Sequence, residues 1–464
     1  MSKDKIHFEI SERKMILHFV DVCCIVMALC FVGYSFELEY LKSSVFDFVH
    51  LTVLILYLKV IGTIFEIYNL QVASNEFQII RNSILTVTIT VLAYFLTPIY
   101  SPQLPTNRLQ ILTFLLVVFF SLILWRVFYV RFLASKRFLQ NALLVCDVEQ
   151  LEELVSGIEN IDPHYKIIAY VSDCSLRKNH DECCPYVECV NPYELVDFVK
   201  ENNITEIVMG THKPESLTTE LYQQLMKLLE SGKVIREYSQ VYESKTQRIP
   251  VQYLERDFYR FFPFSRSNQN RLYLSIVRSL EVIVSFVGLF FTLVLCPFIL
   301  LGNVIANKGD LFYTQERVGM DGVVFNILKF RTMIASAESG NAIFATVNDT
   351  RVTTFGKFLR KTRLDEFPQF LNVLKGEMAV IGPRPERPIF VKEIAQRMPF
   401  YDTRHIIKPG LTGWAQVNYS YGETIDDSLI KLQYDLYYIK HRSFYLDFSI
   451  SLKTITTVLF YRGQ

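Results

Sequence analysis

Five long apolar runs constrain this chain more than any other feature. A helix needs about 20 mostly apolar residues to cross the hydrocarbon core of a bilayer. Four stretches in the first third qualify: residues 15–36 (MILHFVDVCCIVMALCFVGYSF), 45–65, 79–100 and 109–133 (LQILTFLLVVFFSLILWRVFYVRFL). Lys3, Lys5, Arg13 and Lys14 precede the first, and Arg126, Arg131, Lys136 and Arg137 close the fourth. The loops on the other side carry only Lys42 and Arg108. Basic residues concentrate on the cytoplasmic side, so the N-terminus and everything after residue 135 are expected there. The first run is long and has no clear small-residue cleavage site, which argues against a removed signal peptide. Asp21, Asp47, His50 and Lys59 lie within or beside the spans. Intramembrane charges are functional candidates by default, although those near the ends can snorkel to the interface.

The rest of the chain reads differently. Its 464 residues leave room for two or three domains, and the 20% charged content, below the usual ~25%, reflects the apolar runs alone. A net charge of +1 gives no whole-chain reason to expect nucleic-acid binding. Nine scattered cysteines do not read as a disulfide framework, and Cys174, Cys183, Cys184 and Cys189 form no C-x-x-C pair. They are expected to be loop cysteines in a reducing cytosol. From about residue 140, short apolar runs (NALLVC, YKIIAYV, EIVMGT, KVIREY) alternate with helically spaced stretches such as DVEQLEELVSGI and NPYELVDFVKENN. That alternation predicts a small parallel α/β layer. A dinucleotide site would carry G-x-G-x-x-G after its first strand. Here CDVEQLEE follows, with no glycine and with acids that would repel a pyrophosphate.

The fifth run, residues 272–302, is long enough to be a fifth span. Pro297 interrupts it about two thirds of the way along, where a missing donor kinks a helix. Arg278 and Glu281 mark its near end as interfacial. Hydropathy alone favours crossing, yet an odd crossing would put everything after 302 outside the cell. The alternative is a helix that enters one leaflet, bends near Cys296-Pro297 and returns to the side it left.

The chemistry downstream decides for return. In TRLDEFPQFLNVLKGEM (362–378), Phe367, Phe370, Leu371 and Leu374 follow helical spacing and Gly376 supplies a stop. This places Asp365 and Glu366 at the start of a helix about ten residues long. Acids there complement the helix dipole, so the pair alone carries no function. Its neighbours add to it. NILKFRTM (326–333) presents Lys329 and Arg331 on one face of a strand; IGPRPERP (381–388) mounts Arg384 between two prolines; IIKPGLTGWAQVN (406–418) adds Lys408; YDLYYIKHRS (434–443) adds Asp435. Together they offer basic groups for a diphosphate and carboxylates for Mg²⁺, the parts for phosphoryl transfer.

Four of these motifs in order, KFRTM, LDEFPQFLNVLKGEM, GPRPE and KPGLTGWAQVN, closely resemble the bacterial sugar transferase family, the monotopic phosphoglycosyl transferases. The match runs almost continuously from 270 to 464, and the whole chain resembles the family's large members, the undecaprenyl-phosphate hexose-1-phosphate transferases. The resemblance implies a four-helix transmembrane bundle (1–135), a Rossmann-like cytoplasmic domain without a nucleotide fingerprint (136–265), and a mainly helical catalytic domain with a re-entrant membrane helix (266–464, the helix about 272–302). It also implies a membrane enzyme of the bacterial inner membrane that moves sugar-1-phosphate from a UDP-hexose to undecaprenyl phosphate and releases UMP, the first membrane step of exopolysaccharide, capsule or O-antigen synthesis. Glucose and galactose are the favoured sugars. The family's dyad maps onto Asp365, as nucleophile, and Glu366, with Mg²⁺ held at the pair. A carboxylate nucleophile splits one difficult transfer into two. Arg360 also matches a family position. Lys329, Arg331, Arg360, Arg384, Lys408 and Asp435 are the candidate substrate-binding residues. The resemblance permits a homodimer without demanding one. The family's bend falls at a Ser-Pro pair; here it is Cys296-Pro297, and a thiol is a weaker donor than a hydroxyl.

Two other readings compete. A glycosyltransferase releasing UDP commonly carries D-x-D near its basic groups, and none is present. An assembly scaffold would suit the membrane helices but gives no reason for Lys329, Arg331, Asp365, Glu366 and Arg384 to occur together. The tail, residues 443–462, is too interrupted to span; it is expected either in the headgroup plane or packed into the catalytic domain.

Overall fold

A computed structural model describes residues 10–36, 48–73, 76–97, 101–102, 107–133, 140–159, 165–171, 187–211, 217–251, 266–307, 309–334, 349, 351–398, 400–419 and 425–459. The chain divides into two compact units, residues 1–246 and 247–464.

The first unit begins with four apolar helices, Ile10–Ser35, Phe48–Ile64, Glu76–Phe95 and Arg108–Phe128, the last continued by one wide turn, Tyr129–Leu133. They pack around Leu17, Leu54, Val87, Tyr94, Phe114 and Leu122, while Phe19, Phe31, Leu92, Phe120 and Leu124 stay exposed, as a bilayer requires. Three of the four are long and apolar enough to cross. The second differs from expectation: it has 17 residues, about 25 Å at 1.5 Å per residue, and stops before a turn in which Glu66 adopts a positive φ of 57°. Of the charges flagged in the spans, Asp47 lies outside the described residues. Asp21 is fully buried and ion-paired with Arg126 at 2.5 Å, joining the first and last helices. Arg126 also donates to the Ile67 carbonyl at 2.7 Å. This intramembrane acid therefore has a structural partner.

The α/β layer follows. Strands β1 (Gln140–Val145), β2 (Tyr165–Val171), β3 (Glu188–Val190), β4 (Glu206–Met209) and β5 (Val234–Glu237) form one parallel sheet in the order β3-β2-β1-β4-β5. Helices Leu195–Glu201 and Thr219–Glu230 bury Leu195, Val199, Leu221, Leu225 and Leu228 against Leu143, Val145, Ala169 and Ile207. Cys189 on β3 is disulfide-bonded, contrary to the expectation of loop thiols; Cys174, Cys183 and Cys184 lie outside the described residues.

The second unit starts at Gln247, earlier than the expected boundary at 265. The reason is local: Ile249 N–H donates to the Gln433 carbonyl at 3.1 Å, Trp414 Nε1–H donates to the Gln247 carbonyl at 3.2 Å, and Ile249 and Val251 join the core of Phe390, Trp414, Leu436, Ile439 and Ile450. Strands β6 (Phe312–Val318) and β7 (Val324–Phe330) pair antiparallel, and β8 (Ala379–Ile381) pairs parallel with β9 (Gly410–Thr412). The tail helix Phe444–Leu459 packs into its unit through Leu446, Ile450 and Leu452, which are buried, while Phe444, Tyr445 and Phe448 are exposed.

The fifth apolar run forms one helix of 36 residues, Arg271–Ala306, with Pro297 inside rather than at an end. One stripe of it is buried: Tyr273, Glu281, Ser285, Gly288, Thr292, Ile299 and Asn303. The opposite face exposes Ile283, Phe286, Phe290, Leu293, Phe298, Leu301 and Ile305. Small and polar residues face inward and large apolar ones outward, the reverse of a surface helix in water. The helix is fastened along its length to its own unit. Arg278 donates to the carbonyls of Val373 and Leu374 at 2.7 and 2.8 Å. Phe370 lies so close to Gly288 that any Cβ there would meet its ring at 2.3 Å, and Phe355 does the same at Gly302, at 2.4 Å. Beyond the helix end, Asn307 donates to the Arg331 carbonyl at 2.9 Å and accepts from Thr353 Oγ1 at 2.5 Å.

Candidate active site

The dyad sits where a 3-10 segment, Leu364–Gln369, runs into the α-helix Phe370–Lys375. The expected single helix is thus split, with Pro368 in the tighter first half. Arg363 opens the segment in the left-handed region at φ 59°, and Gly376 closes the helix at φ 86°, a conformation that suits glycine. Asn372 fixes this helix against β7: its Nδ2 donates to the Asn326 carbonyl at 2.8 Å and its Oδ1 accepts from Leu328 N–H at 3.1 Å. On the alternating strand, Phe325 and Ile327 face the core with Val373 and Met378, and Lys329 shares their face. Its Nζ lies 3.5 Å from Glu366 Oε1.

That one oxygen gathers three cations. Arg384 Nη2 is 3.0 Å away, Lys329 3.5 Å and Arg363 3.6 Å. Burial alone would push the Glu366 carboxyl up, but Arg384, Lys329 and Arg363 together outweigh it and hold it below the usual carboxylate range. Asp365, one residue away, has the opposite fate. It is 7% exposed and makes no hydrogen bond or ion pair among the described residues. Burial, and next the Glu366 charge, push its carboxyl up to about 6 against Lys329, Arg360 and Arg363. Burial likewise pushes the Lys329 ammonium down, opposed by Glu366. The pair is one committed anion locked among cations and one carboxylate with its lone pairs unspent.

Arg384 has a support of its own. Its carbonyl accepts from Arg404 Nη2 at 2.9 Å, and Arg404 is itself held by Asp435 at 2.8 Å and the Tyr401 hydroxyl at 2.6 Å. Asp435, 2% exposed, therefore acts on the site through Arg404. Arg360 Nε donates to Thr332 Oγ1 at 3.0 Å and its charge bears on Asp365. Two expected residues are elsewhere. The strand ends at Phe330, and Arg331 turns to Asp310, donating to its carbonyl at 2.9 Å. Lys408 Nζ lies beside Gly376, with the Arg278 guanidinium, at the end of the helix away from the dyad. Cys296 is half-buried beside Ile299, Phe330 and Leu359. The sequence reading missed Arg317, Arg363, Gln369 and Arg404. Strand alternation in β6 puts Tyr313, Gln315 and Arg317 on one, less exposed face, a signal that could have found Arg317; nothing local announces Arg404.

Among the described residues, no group of three or more His, Cys, Asp or Glu is placed to hold a metal. Mg²⁺ does not require one, since it is commonly bound by one or two carboxylates, waters and substrate phosphates. The unpartnered carboxylate of Asp365 fits that role.

The family model described as "Bacterial sugar transferase" matches residues 272–461, and one described as "CoA-binding domain" matches residues 63–211. The chain is 40% identical over 223 residues to a UDP-N-acetylgalactosamine-undecaprenyl-phosphate N-acetylgalactosaminephosphotransferase of Aeromonas hydrophila, covering 47% of this chain and 51% of that one. It is 43% identical over 164 residues to a UDP-glucose:undecaprenyl-phosphate glucose-1-phosphate transferase of Xanthomonas campestris pv. campestris, covering 35% and 34%. The chain thus spans about half, or less, of the length of these two relatives. It covers far more, 72%, of an uncharacterized sugar transferase of Bacillus subtilis (strain 168), at 37% identity over 158 residues and 33% of this chain. With the dyad and its cation cluster inside the matched residues, and 72% of a sugar transferase covered at 37% identity, the chain belongs to the bacterial sugar transferase family.

Proposed function

We propose that this protein transfers a sugar-1-phosphate from a UDP-sugar to undecaprenyl phosphate and releases UMP, in two steps through Asp365. The carrying observation is the divergence within the dyad: Glu366 is tied to Arg384, Lys329 and Arg363, while Asp365 is buried and unpartnered. In the first step an Asp365 carboxylate oxygen attacks the phosphorus that carries the sugar. An oxygen–phosphorus bond forms, the diphosphate bridge breaks, and UMP leaves with the electron pair. In the second, a phosphate oxygen of the lipid attacks the same phosphorus and returns Asp365 as carboxylate. Glu366 keeps Lys329, Arg363 and Arg384 in place, where they neutralise the diphosphate. Mg²⁺, held by Asp365 and the phosphates with Glu366 beside it, would supply charge neutralisation for the departing UMP.

The relatives' names divide between glucose and N-acetylgalactosamine, so the donor is proposed only as a UDP-hexose or UDP-N-acetylhexosamine. The long helix supports re-entry rather than crossing, because Arg278 near one end and Asn307 beyond the other bond to the same unit. On this reading the second unit stays on the cytoplasmic face of the inner membrane, level with the lipid phosphate. The test uses purified full-length protein, Mg²⁺ and a panel of UDP-glucose, UDP-galactose and UDP-N-acetylgalactosamine without lipid acceptor. A stoichiometric burst of UMP, with a phospho-sugar on the Asp365 peptide, is expected from one donor. Release of UDP, or an undiminished burst from Asp365→Asn, would overturn the proposal.

A further inference from the structure

A small cleft beside two of the Glu366 partners is lined by Arg317, Lys329, Gln369 and Arg384, with Ile327, Pro385 and Gly410 at its wall. Two of its donors have nothing to donate to. Gln369 is 3% exposed, and its Nε2 finds no hydrogen-bond partner among the described residues; the same holds for the buried Nε of Arg317. A buried donor left without an acceptor is unfavourable, so two of them beside one cleft mark a place where a ligand supplies the missing acceptors. Arg317 is pre-set for this. Its Nη2 donates to Gln315 Oε1 at 2.7 Å, and its Nη1 to the Pro385 carbonyl at 3.1 Å and Glu386 at 3.5 Å, which fixes the guanidinium plane and leaves the buried Nε–H without a partner among the described residues. Gln369 is fixed by its position, one turn after the dyad at the junction of the 3-10 segment and the α-helix.

We propose that Gln369 and Arg317, with Lys329 and Arg384, form a phosphate-monoester site, in which the Gln369 amide and the Arg317 Nε–H donate to phosphate oxygens. The set is mostly donor: beyond the Gln369 Oε1, its acceptors are Glu366 and Glu386, each already engaged by arginine. It therefore suits an acceptor-rich anion and not a neutral sugar or base. The inference rests on the proposed reaction for the identity of its ligand, because that reaction has two phosphate monoesters: the UMP that leaves and the lipid phosphate that enters.

The test is binding, not turnover. Full-length protein in nanodiscs is titrated with UMP, uridine and a short-chain polyprenyl phosphate, using wild type, Gln369→Leu and Gln369→Glu, with melting curves as the check on folding. The Glu variant keeps the shape of the side chain and serves should the Leu variant fail to fold. Both variants are expected to bind at least one phosphate monoester about tenfold more weakly, with uridine unaffected. Loss confined to UMP places the leaving group in the cleft, loss confined to the polyprenyl phosphate places the acceptor there, and loss of both means one site used in turn. Affinities within twofold of wild type in a folded variant, an equal loss for uridine, or no phosphate-monoester binding by wild type would overturn the assignment. Because no step of catalysis is read, a chain that binds UMP through Gln369 but releases none from a UDP-sugar would sink the proposed reaction and leave this site standing.

Discussion

Adjacent side chains of nearly equal acidity in water end in opposite states here because their surroundings differ. Glu366 has three cations within 3.6 Å of one oxygen; Asp365 has burial and a neighbouring negative charge. Asp365, the proposed nucleophile, pushed up to about 6, is ionised at neutral pH yet more basic than an exposed aspartate near 3.9. The sign follows directly: the ionised, reactive form is lost as pH falls through about 6. The UMP burst rate is expected to rise about tenfold per pH unit below that point and to level off above it, as rapid-quench measurements from pH 5 to 8 would show. A limb near 4 would mean that the cations around Asp365, Mg²⁺ included, outweigh its burial. Glu366→Gln removes the second cause of the shift and the anchor for Arg384. The residual burst should then show its limb at lower pH, together with weaker UDP-sugar binding. A limb unmoved by this substitution would mean that the two carboxyls do not sense each other.

At the scale of elements, the loop that carries Arg384 depends on a buried relay. Asp435 grips Arg404, and Arg404 holds the Arg384 carbonyl. Burial pushes the Asp435 carboxyl up to about 6, yet the guanidinium at 2.8 Å keeps it the natural partner of that charge. Asp435→Asn leaves Arg404 buried without its counter-charge, a change that typically costs 3–5 kcal/mol. We expect a fall in Tm and a raised KM for the UDP-sugar, with the Asp365 adduct still forming at saturating donor. Loss of adduct with unchanged KM would instead put Asp435 in contact with the reacting atoms. This relay also shows what was legible beforehand. The dyad, Lys329 and Arg384 were readable because each depends on short-range rules: a helix stop, strand alternation and a pair of prolines. Arg331, Asp435 and Lys408 were not. Whether Arg331 follows its strand is decided by Asp310, 21 residues earlier, and Asp435 reaches the site only through a partner 31 residues away. The same holds for the membrane helices. Hydropathy located all four, but the early stop of the second is set by a backbone turn at Glu66 that composition does not encode.

For the molecule as a membrane protein, the decisive element is the 36-residue helix. At 1.5 Å per residue it is about 54 Å long, well beyond a ~30 Å hydrocarbon core. A crossing helix must hold its ends in separate aqueous phases. This one has Gly288 against Phe370, Gly302 against Phe355, and Arg278 and Asn307 bonded within the same unit. Crossing would tear one of these sets away and expose Asn303, Asn307 and the Phe355 ring. On the proposed re-entrant placement, the helix would instead turn Phe286, Phe290, Leu293 and Phe298 to lipid while keeping every contact. Single cysteines at Arg271 and Asp310, both exposed, test this in a background without the nine native cysteines. In intact spheroplasts a membrane-impermeant maleimide should label neither position, and both should label after permeabilisation. Labelling of Asp310→Cys alone in intact cells would mean a true crossing, and the dyad would then face away from the nucleotide pool. A second handle reads the contacts themselves. Gly288→Ala should cost about 1–3 kcal/mol by overpacking, and much of that loss should be recovered when Phe370→Leu is added. A coupling of that size between the two positions, measured in a double-mutant cycle of thermal unfolding, requires the membrane-facing helix and the dyad helix to stay in contact in the folded protein. Strict additivity would mean that the long helix leaves its unit in the bilayer.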